Sequence, residues 1–207
     1  MDKEQARNKT RARYNRNGPW YDILETPMEW LKFKAWGKRL LARVKAGKIL
    51  EAGVGTGKNV SYYPNGKAFV ALDLSFRMLA RARARAERLG MEVALFQMDV
   101  ENLGFTAGVF DTVFASFLFC SVPDPVEGLK ELRRVCKPDG SLVLLERVRP
   151  QNRLLGLLFD VLNPLVVRIR GVNINRATSE NLIKAGWKIR KEERLSWDNV
   201  RLFEAVS

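Results

Sequence analysis

A glycine-rich segment between a predicted strand and a predicted helix constrains the fold more than any other feature of this sequence. Residues 51–57 are Glu-Ala-Gly-Val-Gly-Thr-Gly; they begin within the apolar stretch 49–52, a predicted strand, and precede a helix predicted at 58–63. Glycine lets the backbone approach a ligand closely because it has no Cβ. In doubly wound sheets such a loop lies at the carboxyl end of a strand, where ligands bind. The segment therefore predicts an α/β fold with a ligand site at this edge.

Short apolar runs alternate with helical periodicity along the rest of the chain. The predicted strands are 49–52, 68–72, 93–97, 110–116, 141–148, 187–193 and 200–206, and the predicted helices include 76–89, 125–136 and 175–185, with a turn at 137–140. This alternation predicts a doubly wound, mostly parallel seven-stranded sheet with helices on both faces. A short link joins the last two strands, which predicts an antiparallel strand at one edge.

The N-terminal quarter differs from the rest in charge and in aromatic content. Residues 1–48 hold 13 Lys and Arg against 5 Asp and Glu, a net of +8 out of the chain's +13, together with Trp20 and two further tryptophans. The apolar spacing predicts a helix over about 27–44. We interpret 1–47 as a helical cap on a domain that spans 48–207; a plain packing helix with solvated lysines is an equally good alternative.

Two carboxylates follow the next two predicted strands. Asp73 ends the second strand and Asp99 follows the third. A carboxylate in the first position accepts hydrogen bonds from ribose hydroxyls, and one in the second can accept a hydrogen bond from an adenine amino group. Met78 packs either on the adenine face or in the core. The glycine spacing differs from the dinucleotide fingerprint, so these residues favour an adenosyl ligand of another kind.

The order of the motifs is more specific than any one of them. E-x-G-x-G-x-G at 51–57 is followed by L-D-L-S-x-x-M-L at 72–79, M-D-V-E-x-L-x-F at 98–105, F-D-x-V at 110–113 and L-K-E-L-R-R-V-C-K-P-D-G at 129–140. Over roughly half the chain this order closely resembles the class I S-adenosylmethionine-dependent methyltransferases, nearest the ubiquinone/menaquinone and bacterial phospholipid N-methyltransferases. The resemblance implies a Rossmann-like methyltransferase fold, S-adenosylmethionine as methyl donor and S-adenosylhomocysteine as product.

The resemblance also implies roles for individual residues. The glycine loop would meet the methionine moiety, Asp73 the ribose and Asp99 the adenine amine, and the residues just past the fourth strand would line the cofactor. The expected cofactor-binding residues are Glu51, Gly53, Gly55, Gly57, Asp73, Leu74, Met78, Asp99, Val100, Ser116 and Phe117.

Composition limits the chemistry and the compartment. The chain has no histidine and two cysteines, which removes the commonest general base and zinc ligand, so no metal site is expected. Methyl transfer from a sulfonium needs chiefly alignment of the nucleophile; where a base is needed, Tyr14, Tyr21 and Asp22 of the cap are the candidates. Few cysteines, a polar N-terminus and no apolar stretch of ~20 residues predict a cytoplasmic protein, with peripheral attachment to the inner membrane face left open.

The segment 149–175 is the predicted substrate or membrane insertion. Its apolar run 154–167 has arginines on both flanks. Such a segment suits a membrane surface because it combines burial in the acyl boundary with attraction to anionic headgroups. A helix that simply closes the fold is the alternative. The expected substrate or membrane residues are Trp20, Arg147, Arg153, Arg168 and Arg170.

Four hypotheses about the function are therefore left open, and the first three differ in the methyl acceptor. The first is the amine headgroup of a phospholipid such as phosphatidylethanolamine, methylated at an anionic membrane surface. The second is a small-molecule thiol or a quinone. The third is RNA, which the net charge of +13 permits, although no base-stacking catalytic loop follows the fourth strand. The fourth is a cofactor-binding regulator without catalysis.

Overall fold

A computed structural model describes residues 3–17, 27–45, 47–64, 68–196 and 199–207. Its helices are α1 (Lys3–Asn17), α2 (Pro27–Leu41), a 3-10 helix (Lys58–Tyr62), α3 (Phe76–Arg88), α4 (Pro125–Val135), α5 (Arg153–Arg170) and α6 (Thr178–Lys184). Its strands are β1 (Lys48–Ala52), β2 (Ala68–Asp73), β3 (Val93–Gln97), β4 (Phe110–Ser116), β5 (Cys136–Arg147), β6 (Lys188–Ser196) and β7 (Val200–Val206).

The strands form one seven-stranded sheet in the order β3-β2-β1-β4-β5-β7-β6. The first five strands are parallel, whereas β7 runs antiparallel between β5 and the edge strand β6. The strand order reverses at β1, which pairs with β2 on one side and with β4 on the other. Ala52 at the end of β1 lies opposite Leu72 and Ala115. The loops that leave these three strands therefore converge on one edge, and the predicted fold class is confirmed.

Two separate apolar cores cover the two faces of the sheet. Leu40 of α2 and Leu79 of α3 belong to one core, and Leu129 of α4 and Leu182 of α6 belong to the other. The central strands supply residues to both cores: Ile49 is buried on the first face and its neighbour Leu50 on the second. This double burial explains why the parallel strands are almost continuously apolar in the sequence.

Two predicted elements are of a different type in the structure. The helix predicted at 58–63 is a short 3-10 helix, because Tyr63 adopts an extended conformation before Pro64, and a residue that precedes proline is disfavoured in an α-helix. The turn predicted at 137–140 lies inside β5. Phe110 pairs with Cys136 and Thr112 with Ser141, so the extra residues of β5 form an irregularity within the ladder rather than a turn before it.

Helix α5 turns an apolar surface to solvent. Polar contacts attach it to the domain: Arg149 Nη2 lies 2.8 Å from Asp160 Oδ2, and Asn163 Oδ1 accepts a hydrogen bond from the Ile174 amide at 2.9 Å. Its exposed large apolar side chains are Leu154, Leu155, Leu157, Leu158, Val161, Leu162, Leu165 and Ile169. Across the described ranges no helix has both the length and the hydropathy to cross a bilayer.

We predict that the α5 surface does not stabilise the fold. Leu132→Ala in α4, at a fully buried position, should lower the free energy of unfolding by about 2–5 kcal/mol because it leaves a cavity in the core. Leu157→Ala in α5, where the side chain is 60% exposed, should change it by less than about 0.5 kcal/mol. Urea unfolding measures both. A loss at Leu157 as large as that at Leu132 would contradict this assignment.

Candidate active site

A cavity of about 900 Å³ opens at the sheet edge where the loops after β1, β2 and β4 converge. Helix α1 covers one side of it, and the segment after α5 forms the other. The cavity brings most of the predicted residues together. Its wall includes Tyr14, Gly53, Gly55, Asp73, Leu74, Met78, Asp99, Val100, Ser116, Phe117 and Arg147.

The Asp73 carboxylate joins the glycine loop to the start of α3. Its Oδ2 accepts a hydrogen bond from the Gly55 amide at 3.0 Å and its Oδ1 accepts one from the Ser75 amide at 2.8 Å. Ser75 in turn caps α3, since its hydroxyl accepts a hydrogen bond from the Met78 amide. Burial raises the pKa of Asp73, and these backbone amides oppose that rise. A carboxylate offers about four acceptor positions, so two amides leave it capacity for a ligand.

The structure does not bring Glu51 or Gly57 to the cavity wall. Gly57 has φ +78, and a Cβ there would lie 3.0 Å from Ala82 Cα, so this glycine is required for close packing against α3. Glu51 lies within β1 and is fully buried beneath the loop. Its carboxylate accepts hydrogen bonds from Asn59 Nδ2 at 2.6 Å and from the Tyr63 hydroxyl. Both residues therefore support the loop from below.

Asn59 connects Glu51 to the cavity wall through hydrogen bonds. Its Nδ2 also donates a hydrogen bond to the Ser116 hydroxyl at 2.8 Å, and both residues lie on the wall. Asn59 thus links the loop after β1 to the end of β4. Sequence reasoning missed it because an asparagine in a short helix has no distinguishing local pattern. Its only signal is its position directly after the glycine loop.

Asp99 meets a cation from α1. Arg7 Nε lies 2.9 Å from Asp99 Oδ2 and 3.0 Å from Glu101 Oε2, and Glu101 is buried. The hydrogen bond to Glu101 raises the pKa of Arg7. At the other end of α1, Asn15 Oδ1 accepts a hydrogen bond from the Ser75 hydroxyl at 2.6 Å. These contacts hold α1 over the cavity, although no sequence pattern marked Arg7 or Glu101 as partners.

Phe117 follows β4 in a left-handed conformation, with φ +51. A non-glycine residue in this region costs about 1–3 kcal/mol and persists only where the surroundings fix it. The Phe117 ring lies edge-on to Phe33, with centroids 5.0 Å apart, and its amide donates a hydrogen bond to the Leu145 carbonyl at 2.8 Å. Arg147 lies over the same ring, its guanidinium carbon 5.7 Å from the centroid.

Glu146 fixes the residues after Phe117. Its Oε1 accepts hydrogen bonds from the amides of Leu118 at 2.8 Å and Phe119 at 2.9 Å. Burial raises the pKa of Glu146 to about 7, with the two amides opposing. A buried carboxylate on β5 therefore holds the strained turn that forms the cavity wall beside Arg147.

The far side of the cavity is built from the turn after β4 and the segment after α5. The Asn173 amide donates a hydrogen bond to the Cys120 carbonyl at 2.7 Å, and both residues lie on the wall with Ile169 and Ile174. Burial raises the pKa of the Cys120 thiol to about 12, so it stays protonated at neutral pH. The cavity therefore extends from the glycine loop to the apolar end of α5.

Two of the remaining predicted residues, Arg153 and Arg168, do not line the cavity. Arg153 and Arg168 are exposed on α5, and Arg170 is its last residue. Trp20, Tyr21 and Asp22 lie outside the described residues. Tyr14 is thus the candidate base that the described structure brings to the cavity.

We predict that Glu51 makes the stability of the fold depend on pH. Burial raises its pKa from 4.5 to about 7, with hydrogen bonds from Tyr63 and Asn59 opposing. A raised folded-state pKa contributes stability that is full below about 4.5 and is lost as the pH rises through about 7. Between pH 5 and pH 8 this loss amounts to about 2–3 kcal/mol. Glu51→Gln should remove that part of the decrease in the free energy of unfolding, which urea unfolding at the two pH values measures.

The control is Glu180→Gln, the same chemical change at an exposed carboxylate on α6 that lies 3.8 Å from Lys184. It should leave the difference in unfolding free energy between the two pH values as in the original protein. An equal pH dependence in Glu51→Gln and in the original protein would show that Glu51 does not titrate in this range.

Comparison with known proteins agrees with this geometry. A family model described as a methyltransferase domain matches residues 50–144. A demethylmenaquinone methyltransferase of Thermus thermophilus is 36% identical, over 69% of this chain and 68% of the relative. A phosphatidylethanolamine N-methyltransferase of Cereibacter sphaeroides is 42% identical over 52% of this chain, and the match spans only 55% of that relative's length.

Solved structures agree with the fold. A SAM-dependent methyltransferase from Aquifex aeolicus superposes with a TM-score of 0.67 at 18% identity, covering 91% of this chain and 97% of that one. A geranyl diphosphate C-methyltransferase from Streptomyces coelicolor, solved with S-adenosyl-L-homocysteine, gives 0.70 at 13% identity, covering 84% and 78%. From its fold, its cavity and these relatives, the chain belongs to the class I S-adenosylmethionine-dependent methyltransferases.

Proposed function

We propose that this methyltransferase methylates the amine headgroup of a phospholipid such as phosphatidylethanolamine at a membrane surface. The observation that carries the proposal is the apolar surface of α5, whose end reaches the cavity through Ile169. A lipid held at this surface has its headgroup next to the cavity mouth. The 42% identity to a phosphatidylethanolamine N-methyltransferase supports the same acceptor.

The glycine-loop side of the cavity suits S-adenosylmethionine. The whole cavity has a volume of about 900 Å³, which falls in the range of small-molecule sites. A Cβ on Gly55 would meet no atom within 4 Å other than its chain neighbours, so open space lies beside the loop. We assign the ribose hydroxyls to Asp73, the adenine amine to Asp99 and the adenine face to Met78. Arg7 of α1 already contacts Asp99. Helix α1 would therefore lie against the bound nucleoside. When bound, the cofactor supplies an activated methyl group.

The chain's own residues align the acceptor and exclude water. A primary amine attacks through its lone pair, so it must enter without its extra proton. We retain Tyr14, on the cavity wall, as the candidate to accept a hydrogen bond from that amine. Phe33 and Phe117 form an apolar wall that keeps solvent from the line of attack. In this assignment α1 and α2 act as the cap.

Attachment to the membrane follows from the physical chemistry of α5. Burial of one large aliphatic side chain contributes about 1.5–3 kcal/mol, so immersion of several of these side chains in the acyl boundary would favour binding to a membrane. Arg153 and Arg168 are exposed on the same helix, and each basic residue near an anionic surface adds about 1 kcal/mol. A helix of this kind lies in the plane of the interface.

A quinone is the second candidate acceptor. The relatives that match over two thirds of their length are named demethylmenaquinone methyltransferases. A quinone with a long apolar tail also resides in the bilayer, so the surface of α5 would serve it equally. The two candidates differ in the chemistry at the cavity: a nitrogen lone pair in one and a ring carbon in the other.

We predict that methyl-labelled S-adenosylmethionine transfers label to phosphatidylethanolamine in vesicles that also contain an anionic phospholipid. Val161→Asp, at a position of α5 that is 69% exposed, should reduce both vesicle co-sedimentation and this rate roughly 10- to 100-fold, since it replaces an apolar side chain whose burial contributes about 1.5–3 kcal/mol with a carboxylate that anionic headgroups repel. Lipid extraction and mass spectrometry identify the product.

The matched control is Ile183→Asp on α6, where the side chain is 65% exposed. This substitution makes the same charge change on a helix other than α5, so the variant should retain vesicle binding and turnover. With phosphatidylethanolamine of short acyl chains, dissolved below its micelle concentration, Val161→Asp should also match the original rate. Label in a demethylated quinone but in no phospholipid would establish the second candidate, and label in neither would refute both.

A further inference from the structure

We infer that Arg147 binds the phosphodiester of the acceptor and so fixes the distance of its amine from the cofactor. The inference rests on the proposed phospholipid acceptor. Arg147 is the last residue of β5 and lies on the cavity wall. Its guanidinium lies over the Phe117 ring, and the segment after α5 that carries Asn173 and Ile174 lines the same cavity.

The charge of Arg147 is available for a ligand. Within the described part of the chain, no carboxylate oxygen lies within 4.0 Å of its guanidinium nitrogens. Two other arginines differ: Arg7, on the same wall, is bonded to Asp99 and Glu101, and Arg149, two residues along the chain, is paired with Asp160. A half-buried guanidinium without such a partner is poised to accept an anion from the cavity.

The adjacent acidic residue does not neutralise this charge through a direct contact. Glu146 is buried, and its Oε1 is taken by the amides of Leu118 and Phe119. Burial raises its pKa to about 7, with Arg147 and Arg176 among the groups that oppose the rise. Near neutral pH part of the Glu146 population is therefore uncharged, and an anion beside Arg147 meets less repulsion than a fully ionised carboxylate would cause.

Phe117 orients the guanidinium. The Arg147 guanidinium carbon lies 5.7 Å from the ring centroid, within the range of a cation–π contact. The ring itself is fixed by Phe33 and by the constrained backbone of Phe117. A guanidinium held in this way presents paired N–H donors, which match two phosphate oxygens better than the point charge of a lysine does.

We place the groups of a phospholipid headgroup along the cavity wall in their chemical order. The phosphodiester lies between the acyl chains on one side and the ethanolamine amine on the other. With the phosphate on Arg147, the acyl chains extend towards Ile169 and α5, and the short ethylene bridge directs the amine towards Phe117 and Ser116. A quinone has no anion at this position, so Arg147 separates the two acceptor classes.

The test measures binding of dihexanoyl phosphatidylethanolamine, below its micelle concentration, to protein saturated with S-adenosylhomocysteine. Calorimetry should show that Arg147→Gln raises the Kd roughly 10- to 100-fold, the range expected for the loss of charged hydrogen bonds. Arg147→Lys should give an intermediate Kd and serves as the second variant should the glutamine protein not fold. The control Arg190→Gln removes an exposed arginine from β6 and should leave the Kd unchanged.

Two binding results for Arg147→Gln would overturn the inference: an unchanged Kd for the lipid, or an equal loss of affinity for S-adenosylhomocysteine, which would assign Arg147 to the cofactor carboxylate. Absence of lipid binding in the original protein would also overturn it. Methyl transfer measured in parallel separates the two proposals. Lipid binding that depends on Arg147 without transfer to any phospholipid supports the anion site and refutes the proposed function. Methyl transfer to a phospholipid with an acceptor KM that is unchanged in Arg147→Gln supports the proposed function and refutes the anion site.

Discussion

The hydrogen bonds of the Asp73 carboxylate are the contact on which the rest of the site depends. One oxygen accepts from the Gly55 amide and the other from the Ser75 amide. These two bonds join the loop after β1 to the end of β2 and to the first turn of α3. Since β1 and β2 are neighbours at the point where the strand order reverses, this single side chain sets the shape of the glycine-loop side of the cavity.

The two sides of the cavity are held by different means. Backbone amides and carboxylates fix the glycine-loop side, and α1 covers it through Arg7 and Asn15. The opposite side depends on the strained turn at Phe117, which Glu146 fixes from β5. This division suits an enzyme family that keeps one methyl donor and varies its acceptor, because the acceptor side can change without disturbing the donor site.

The sequence predicts the sheet well because burial leaves a strong pattern. The bounds of β3, β4 and β7 are as predicted, since each is delimited by turn residues or a change in polarity. Asp73 and Gly55, two of the predicted cofactor-binding residues, lie on the cavity wall because Asp73 ends β2 and Gly55 follows β1, and these strands end at one edge. Local pattern and three-dimensional position coincide for these elements.

Contacts between distant segments could not be predicted in the same way. Arg7 meets Glu101 across 94 residues of sequence, and nothing in either segment marks the pair. Glu51 belongs to the glycine motif, yet it is buried beneath the loop with Asn59 because it lies within the strand. Position in a motif therefore does not determine whether a side chain faces the ligand.

The central claim is that Asp73 both shapes the loop and binds the cofactor, and the affinity of Asp73→Asn for S-adenosylhomocysteine tests it most directly. Asparagine keeps the size of the side chain but replaces one acceptor oxygen with a donor. Calorimetric titration should give a Kd raised roughly 10- to 100-fold, in a protein whose circular dichroism shows the α/β fold intact. An unchanged Kd in the folded variant would contradict the account.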